Sequence, residues 1–245
     1  MIQSIDRAML IIGAMSESNK DKWLVAELAE KTGLPISTVY RLLQSLEMHD
    51  LVSQIEHTKQ YELGYKWVEL GLKKYEKLDI RHVARPILEK LAKAVEETVY
   101  LNAPNDEVSI IVDRIDSPRN VRIIDSIGER IPMHIGAANK TMLAYAPPQT
   151  TEALLKRLIT EEDVRIEFQQ QLRSIKRKGF AISRGEKTKG TLAVGAPVFD
   201  FEGRVLGAIS IEALEMQTTE DQLDLFIEKV TEAAEEISSA MGQSN

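Results

Sequence analysis

The sequence predicts an α+β chain in two parts, and three observations carry that reading. From Trp23 to Glu47 two apolar stripes at helical spacing flank Gly33, and apolar-polar alternation follows between Leu51 and Gly64. Beyond Leu78 the pattern changes to strands, then helices, then strands and a closing helix, the order of an α+β domain with its sheet covered on one side. At 245 residues, with 43% hydrophobic and 28% charged residues, the chain is long enough for two cores and has the composition of a globular protein. We therefore expect a first domain over residues 1–64, a linker helix over 65–78 and a second domain over 79–245.

Ser4 and Asp6 precede Ala8, Leu10, Ile11 and Met15, which predicts a first helix with an acidic start. Val25, Leu28 and Ala29 recur at i, i+3, i+4 and give a second helix one apolar stripe, ending near Lys31. Gly33 supplies the stop and Pro35 pre-sets φ for the next start, with Ser37 expected as the N-cap of a third helix. In that helix Val39, Leu42, Leu43 and Leu46 share one side, and Ser37, Thr38, Tyr40, Arg41 and Gln44 share the other. Hydroxyls, an amide, a phenol and a guanidinium reach phosphates and base edges, whereas an idle solvated face usually mixes Glu and Lys. An ordinary helical hairpin, common in proteins that never touch DNA, is the plain alternative, and the polar face favours DNA binding over it. The layout is that of a helix-turn-helix whose second helix enters the DNA major groove.

Leu51 to Ile55, a turn at His57 to Gln60 and a return at Tyr61 to Gly64 predict a β-hairpin directly after the recognition helix, the order of a winged helix. Lys59 falls at the tip and is a candidate phosphate contact because its charge is permanent at neutral pH; a solvated loop lysine is the plain alternative.

Lys66 to Leu78 reads as the connecting helix, and Ile80 to Glu97 as another, with Pro86 inside it as a potential kink. Thr98 to Ala103, Val108 to Ile115 and Asn120 to Ile124 read as an antiparallel meander, broken at Pro104 to Asp106 and at Ser117-Pro118. Helices are predicted over Asn139 to Tyr145, Thr151 to Leu158 and Glu161 to Lys178. Strands follow at Phe180 to Ser183, Leu192 to Phe199 and Val205 to Ile211, and an amphipathic helix closes the chain from Thr218 to Met241.

Composition removes several classes of function. The absence of cysteine excludes disulfides, thiolate catalysis and cysteine-ligated metal. His49, His57, His82 and His134 lack metal-ligand spacing, and Gly185 and Gly190 lack the ending of a phosphate loop. His134, Ser210 and Asp125 can be drawn as a hydrolytic triad, but no Gly-x-Ser-x-Gly elbow surrounds Ser210. We expect no enzyme, no cofactor and no metal. No apolar run approaches the roughly 20 residues of a membrane span, and Met1 to Arg7 does not open a secretory signal, so a cytoplasmic protein with no membrane partner is expected. The formal net charge is -7, and in residues 1–64 Arg7, Lys20, Lys22, Lys31, Arg41 and Lys59 are outnumbered by nine Asp and Glu. Binding to DNA on such a body should be selective and steeply salt-sensitive.

Over nearly its whole length the chain resembles the IclR-type bacterial transcriptional regulators. The resemblance lies in Gln3 to Ala8 (QSIDRA), Thr32 to Leu43 (TGLPISTVYRLL), Tyr61 to Gly64 (YELG), Ile131 to Lys140 (IPMHIGAANK) and Gly190 through Asp200, in the family's order and spacing. It implies a winged helix followed by an effector-binding domain of GAF-like fold, and a repressor acting as a homodimer or dimer of dimers on a palindromic double-stranded DNA operator. It also implies a small-molecule metabolite effector, often a carboxylate or aromatic acid, bound on one face of the sheet. The matching positions are Ala137, Ala138, Ser183, Ala193, Ser210 and Glu212, with Met133 and Ile135 as apolar walls. Gly136 to Ala138 opens a helix, where free N–H groups attract anions; close backbone packing explains the same small residues.

Departures from the family bear on the ligand. Members that take small keto acids tend to have an acidic residue at Ser183, a cysteine or other polar group at Ala193 and serine at Glu212. Period two puts Glu212 on the same face as Ser210 and Ala208, so an effector bearing hydroxyls or an amine is expected unless Glu212 merely ends its strand toward solvent. From a different class, the rival is a ligand-binding protein or enzyme whose N-terminal helices make protein contacts only.

Overall fold

Ile11, Leu28, Val39, Leu43 and Tyr61 are almost completely removed from solvent and form the centre of the N-terminal unit. The computed structural model describes residues 2–16, 20–75 and 79–242. It divides the chain into two compact units, Met1–Leu78 and Asp79–Asn245.

The first unit contains α1 (Gln3–Ser16), α2 (Val25–Thr32), α3 (Ile36–Glu47), a hairpin of β1 (Val52–Gln54) and β2 (Tyr61–Leu63), and α4 (Lys66–Tyr75). Gly33 ends α2 at φ 68°, a left-handed position that a side chain would strain. Helix α3 begins two residues earlier than a Ser37 cap implies. Pro35 is its N-cap, with its carbonyl accepting from the N–H groups of Thr38 (2.9 Å) and Val39 (3.0 Å). Ser37 is therefore inside the first turn and does not cap the helix, because the extended Pro35 backbone has already taken that position. Trp23 exchanges backbone bonds of 2.8 and 2.7 Å with Tyr61 and so adds a third strand-like segment to the hairpin. Gly64 is a packing requirement: a Cβ there would lie 2.0 Å from the Asp50 carbonyl oxygen. The end of the predicted linker helix, residues 76–78, lies outside the described residues.

The second unit opens with α5 (Asp79–Val95), which runs through Pro86 as one helix. It continues with β3 (Thr98–Asn105), β4 (Val108–Ile115), β5 (Arg130–Pro132), α6 (Ala137–Tyr145), α7 (Pro148–Leu158) and α8 (Glu162–Lys178). After these come β6 (Ala181–Arg184), β7 (Thr191–Phe199), β8 (Val205–Leu214), a 3-10 turn and α9 (Glu220–Ala240). Every neighbouring pair in the sheet β5-β4-β3-β8-β7-β6 is antiparallel.

Both faces of this sheet are covered, which corrects the one-sided expectation. Gly195 on β7 faces the start of α6, whereas Gly207 on β8 faces Ile80 of α5 from the opposite side, and Val194, Val198, Ile209 and Ile211 are buried. A second correction concerns Asn120 to Ile124, which is not a strand. Its Ile123 carbonyl accepts the hydroxyls of Thr98 (3.1 Å) and Tyr100 (3.2 Å), and Val121 and Ile124 face solvent. Side-chain bonds hold the segment across the sheet, and the third strand of the meander is β5. Pro104, expected in a turn, lies within β3; the reversal comes at Asp106, at φ 56°.

Candidate nucleic-acid interface and ligand cleft

Helix α3 buries Val39, Leu43 and Leu46 against the core and leaves Ser37, Tyr40, Arg41 and Gln44 exposed, with Thr38 half-buried at the flank. The Gln44 amide donates to the Tyr40 hydroxyl at 3.2 Å, so two of the candidate contacts are already oriented together. Arg41 opens onto a groove between α1 and α3 whose other walls are Gln3, Ser4, Arg7, Thr38, Leu42 and Ser45. Arg7 is the member that residue pattern alone did not single out. It precedes the buried Ile11 by one helical turn, which turns it toward α3. Lys59 stands exposed at the hairpin turn at φ 58°, and its carbonyl accepts from the Gln54 side chain at 3.2 Å.

In the second unit a cleft forms where α6 meets the sheet. Strand register builds its floor: Ser210 lies opposite Gly195 and Tyr100, Glu212 opposite Ala193 and Thr98, and Ser183 opposite Ala193. Ala137, Ala138, Ser183, Ala193, Ser210, Glu212 and Ile135 all line it. Met133 does not; it is buried in the core with Met142 and Leu155. Asn102, Ile131, Gly136, Asn139, Lys187, Thr188 and Thr191 complete the walls and are not among the expected lining positions. A Cβ on Gly195 would lie 2.7 Å from the Ala138 nitrogen, so α6 sits directly on the β7 backbone and the small residues serve packing as well as the cleft. The cleft is narrow, with a cavity volume of about 30 Å³.

The electrostatics are set by paired and unpaired groups. Glu186 holds the start of α6: its carboxylate accepts from the Gly136 N–H at 3.0 Å and pairs with Lys140, which is almost fully buried. Lys187 bridges Asp125 and Glu129 at 2.6 Å each. Burial pulls the Lys187 ammonium down, but its hydrogen bonds to those carboxylates outweigh this and leave its pKa raised. Burial, and then the Asp125 charge, push Glu212 up to about 7 against the pull of Lys187. Asn139 is 1% exposed, donates from Nδ2 to the carbonyls of Ile131 (3.3 Å) and Pro132 (3.0 Å), and has no partner at Oδ1. The imagined triad is not assembled, since Asp125 is engaged with Lys187 and His134 Nδ1 is unpartnered. Burial lowers the pKa of His134. Among the described residues no group of acidic or histidine side chains could hold a metal ion, and no helix is long and apolar enough to cross a membrane.

Comparison with known proteins matches both units. A family model described as the bacterial transcriptional regulator IclR C-terminal domain covers residues 72–239, and one for the IclR helix-turn-helix domain covers residues 4–56. The HTH-type transcriptional regulator KipR of Bacillus subtilis is 32% identical over 91% of this chain and 92% of its own. The transcriptional repressor IclR of Escherichia coli is 26% identical over 98% and 90%. A crystal structure of an IclR homologue from Microbacterium hydrocarbonoxydans, complexed with 4-hydroxybenzoate, superposes with a TM-score of 0.81 at 20% identity, covering 97% of this chain and 98% of that one.

Proposed function

This chain belongs to the IclR family of bacterial transcriptional regulators, and we propose that it binds a palindromic double-stranded operator as a homodimer or dimer of dimers, one α3 per half-site. Thr38, Tyr40, Arg41 and Gln44 then meet base edges or phosphates, while Ser37, Arg7 and Lys59 hold the sugar-phosphate backbone. The observation that carries this reading is the groove shared by Arg7, Arg41 and Thr38 on the exposed side of α3. Two guanidinium groups from different helices beside a polar helical face are what phosphate and guanine contacts require.

The cleft between α6 and the sheet is the effector site in this reading. Seven of the eight expected positions line it, and the Microbacterium homologue is known with a small aromatic acid bound. The ligand acts by its difference in affinity between two states of the regulator, with residues 65–78 carrying the change between domains 1–64 and 79–245. Repression is the sign of control we assign, as for the E. coli relative, in a cytoplasmic protein that performs no catalytic step. Mobility shifts with the promoter region of its own gene, with and without candidate metabolites, test this. We expect selective retardation at physiological salt that Arg41→Ala abolishes. Equal retardation of random duplex, or full operator affinity in Arg41→Ala, refutes the assignment.

A further inference from the structure

Resting on the reading of the cleft as the effector site, we propose that it takes a small hydroxyl-bearing amine in preference to a carboxylate. The cations beside the cleft already have carboxylate partners. The start of α6 can offer backbone N–H groups to an anion, but the one cation beside them, the buried Lys140, is already neutralised by the chain's own Glu186, which also accepts from Gly136. The remaining cation at the cleft, Lys187, is shared between Asp125 and Glu129. A carboxylate ligand would therefore meet no uncommitted positive charge at these positions, and Glu212 would repel it.

Two acceptors in the cleft call for a donor. Asn139 is almost fully buried, and both protons of its Nδ2 have backbone carbonyls to reach. Flipping the amide would set its oxygen against those two carbonyls, so the network fixes the orientation. Its Oδ1 is left without a partner, and Asn139 is a cleft residue. Glu212 is the second acceptor, on the same wall as Ser210. A buried acceptor without a donor is unfavourable, and a ligand N–H or O–H removes that cost. An ammonium suits Glu212, whose carboxylate gains a partner for its charge. The serine hydroxyls at 183 and 210 suit a ligand hydroxyl.

Three probes of nearly equal size separate the classes: 1-amino-2-propanol, lactamide and lactate. Binding to the full chain is measured by calorimetry about one pH unit above the Glu212 value, where its carboxylate is ionised. We expect the amino alcohol to bind tightest and lactate weakest, with about tenfold or more between them, the worth of one charge-assisted hydrogen bond. Glu212→Gln, an isosteric change, should bring the amine within about threefold of the amide. Glu186→Gln keeps an acceptor for the Gly136 N–H but leaves Lys140 without its counter-charge, and should strengthen lactate alone. A lactate preference in the unaltered chain, or an amine preference that survives Glu212→Gln, overturns the ligand class while leaving the cleft as the effector site. Silence of all three probes overturns the effector-site reading itself.

Discussion

Glu212 gives the most direct test of the cleft's electrostatics. Burial and the neighbouring Asp125 raise its pKa from 4.5 to about 7 in the folded chain. A raised carboxyl favours folding in its protonated form, so its contribution is fully present below the unfolded value and is lost as pH rises through the folded one. The gap between 4.5 and about 7, at about 1.36 kcal/mol per pH unit, sets a ceiling of about 3 kcal/mol lost between pH 4.5 and 8. Glu212→Gln keeps the shape and removes the titration. The assay is urea denaturation followed by circular dichroism, on both proteins, at the two ends of that range. The variant should gain on the parent by about 2–3 kcal/mol more at pH 8 than at pH 4.5. All other titrating groups are common to both proteins and cancel in this difference. An equal difference at both pH values would mean that Glu212 titrates as an ordinary solvated carboxylate, and the account of the cleft would fail with it.

Other changes probe the supports of each site. Gly195→Ala places a methyl 2.7 Å from the Ala138 nitrogen; by forcing α6 off the sheet it should cost about 1–3 kcal/mol in chemical denaturation and weaken ligand binding without touching the ligand. Asp113 is fully buried and paired with Arg85 at 2.8 Å and Arg81 at 3.2 Å. Arg85→Ala alone leaves one cation and should be mild, whereas Arg81→Ala with Arg85→Ala strands the carboxylate and should cost about 3 kcal/mol or more. Arg7→Ala should weaken binding to all duplexes evenly and reduce the salt slope by about 1 per chain, read from shifts at several salt concentrations. A loss confined to one base position would place Arg7 among the reading residues instead.

What was legible in the sequence is what short-range pattern controls. The stripe of Val39, Leu43 and Leu46 gave α3 its inner face, and period two placed Ser210 and Glu212 side by side on one wall. Ser37 does not cap α3 because the chain enters the helix two residues earlier, at Pro35, whose carbonyl accepts the first helical N–H groups. Asn120 to Ile124 alternates like a strand, yet the Thr98 and Tyr100 hydroxyls capture its backbone, an event that depends on residues more than twenty positions away. Two-sided burial is legible in Leu192 to Phe199, which is almost continuously apolar, the mark of a strand covered on both faces. Asn139 and Lys187 had no such signal, since their importance arises from carbonyls and carboxylates delivered by β5 and by the segment before it.

The acidic balance of the DNA-binding unit becomes intelligible from where its carboxylates are held. Glu27 receives the Leu24 N–H at 2.8 Å and Lys20 at 2.6 Å, which ties it to the start of α2. Glu47 accepts from the Gln54 backbone at 3.2 Å, at the far end of α3 from Ser37, Thr38 and Arg41. These charges perform local tasks away from the groove that Arg7 and Arg41 share. Non-specific affinity grows with the number of phosphates a protein neutralises, so a body that is negative elsewhere suppresses it. Specific affinity depends on the few groups that reach base edges, and the candidates proposed for that role are concentrated on one face of α3. An acidic regulator of this build is expected to give up strength on random DNA and keep it at its proposed operator, widening the ratio that decides occupancy among competing genomic sites.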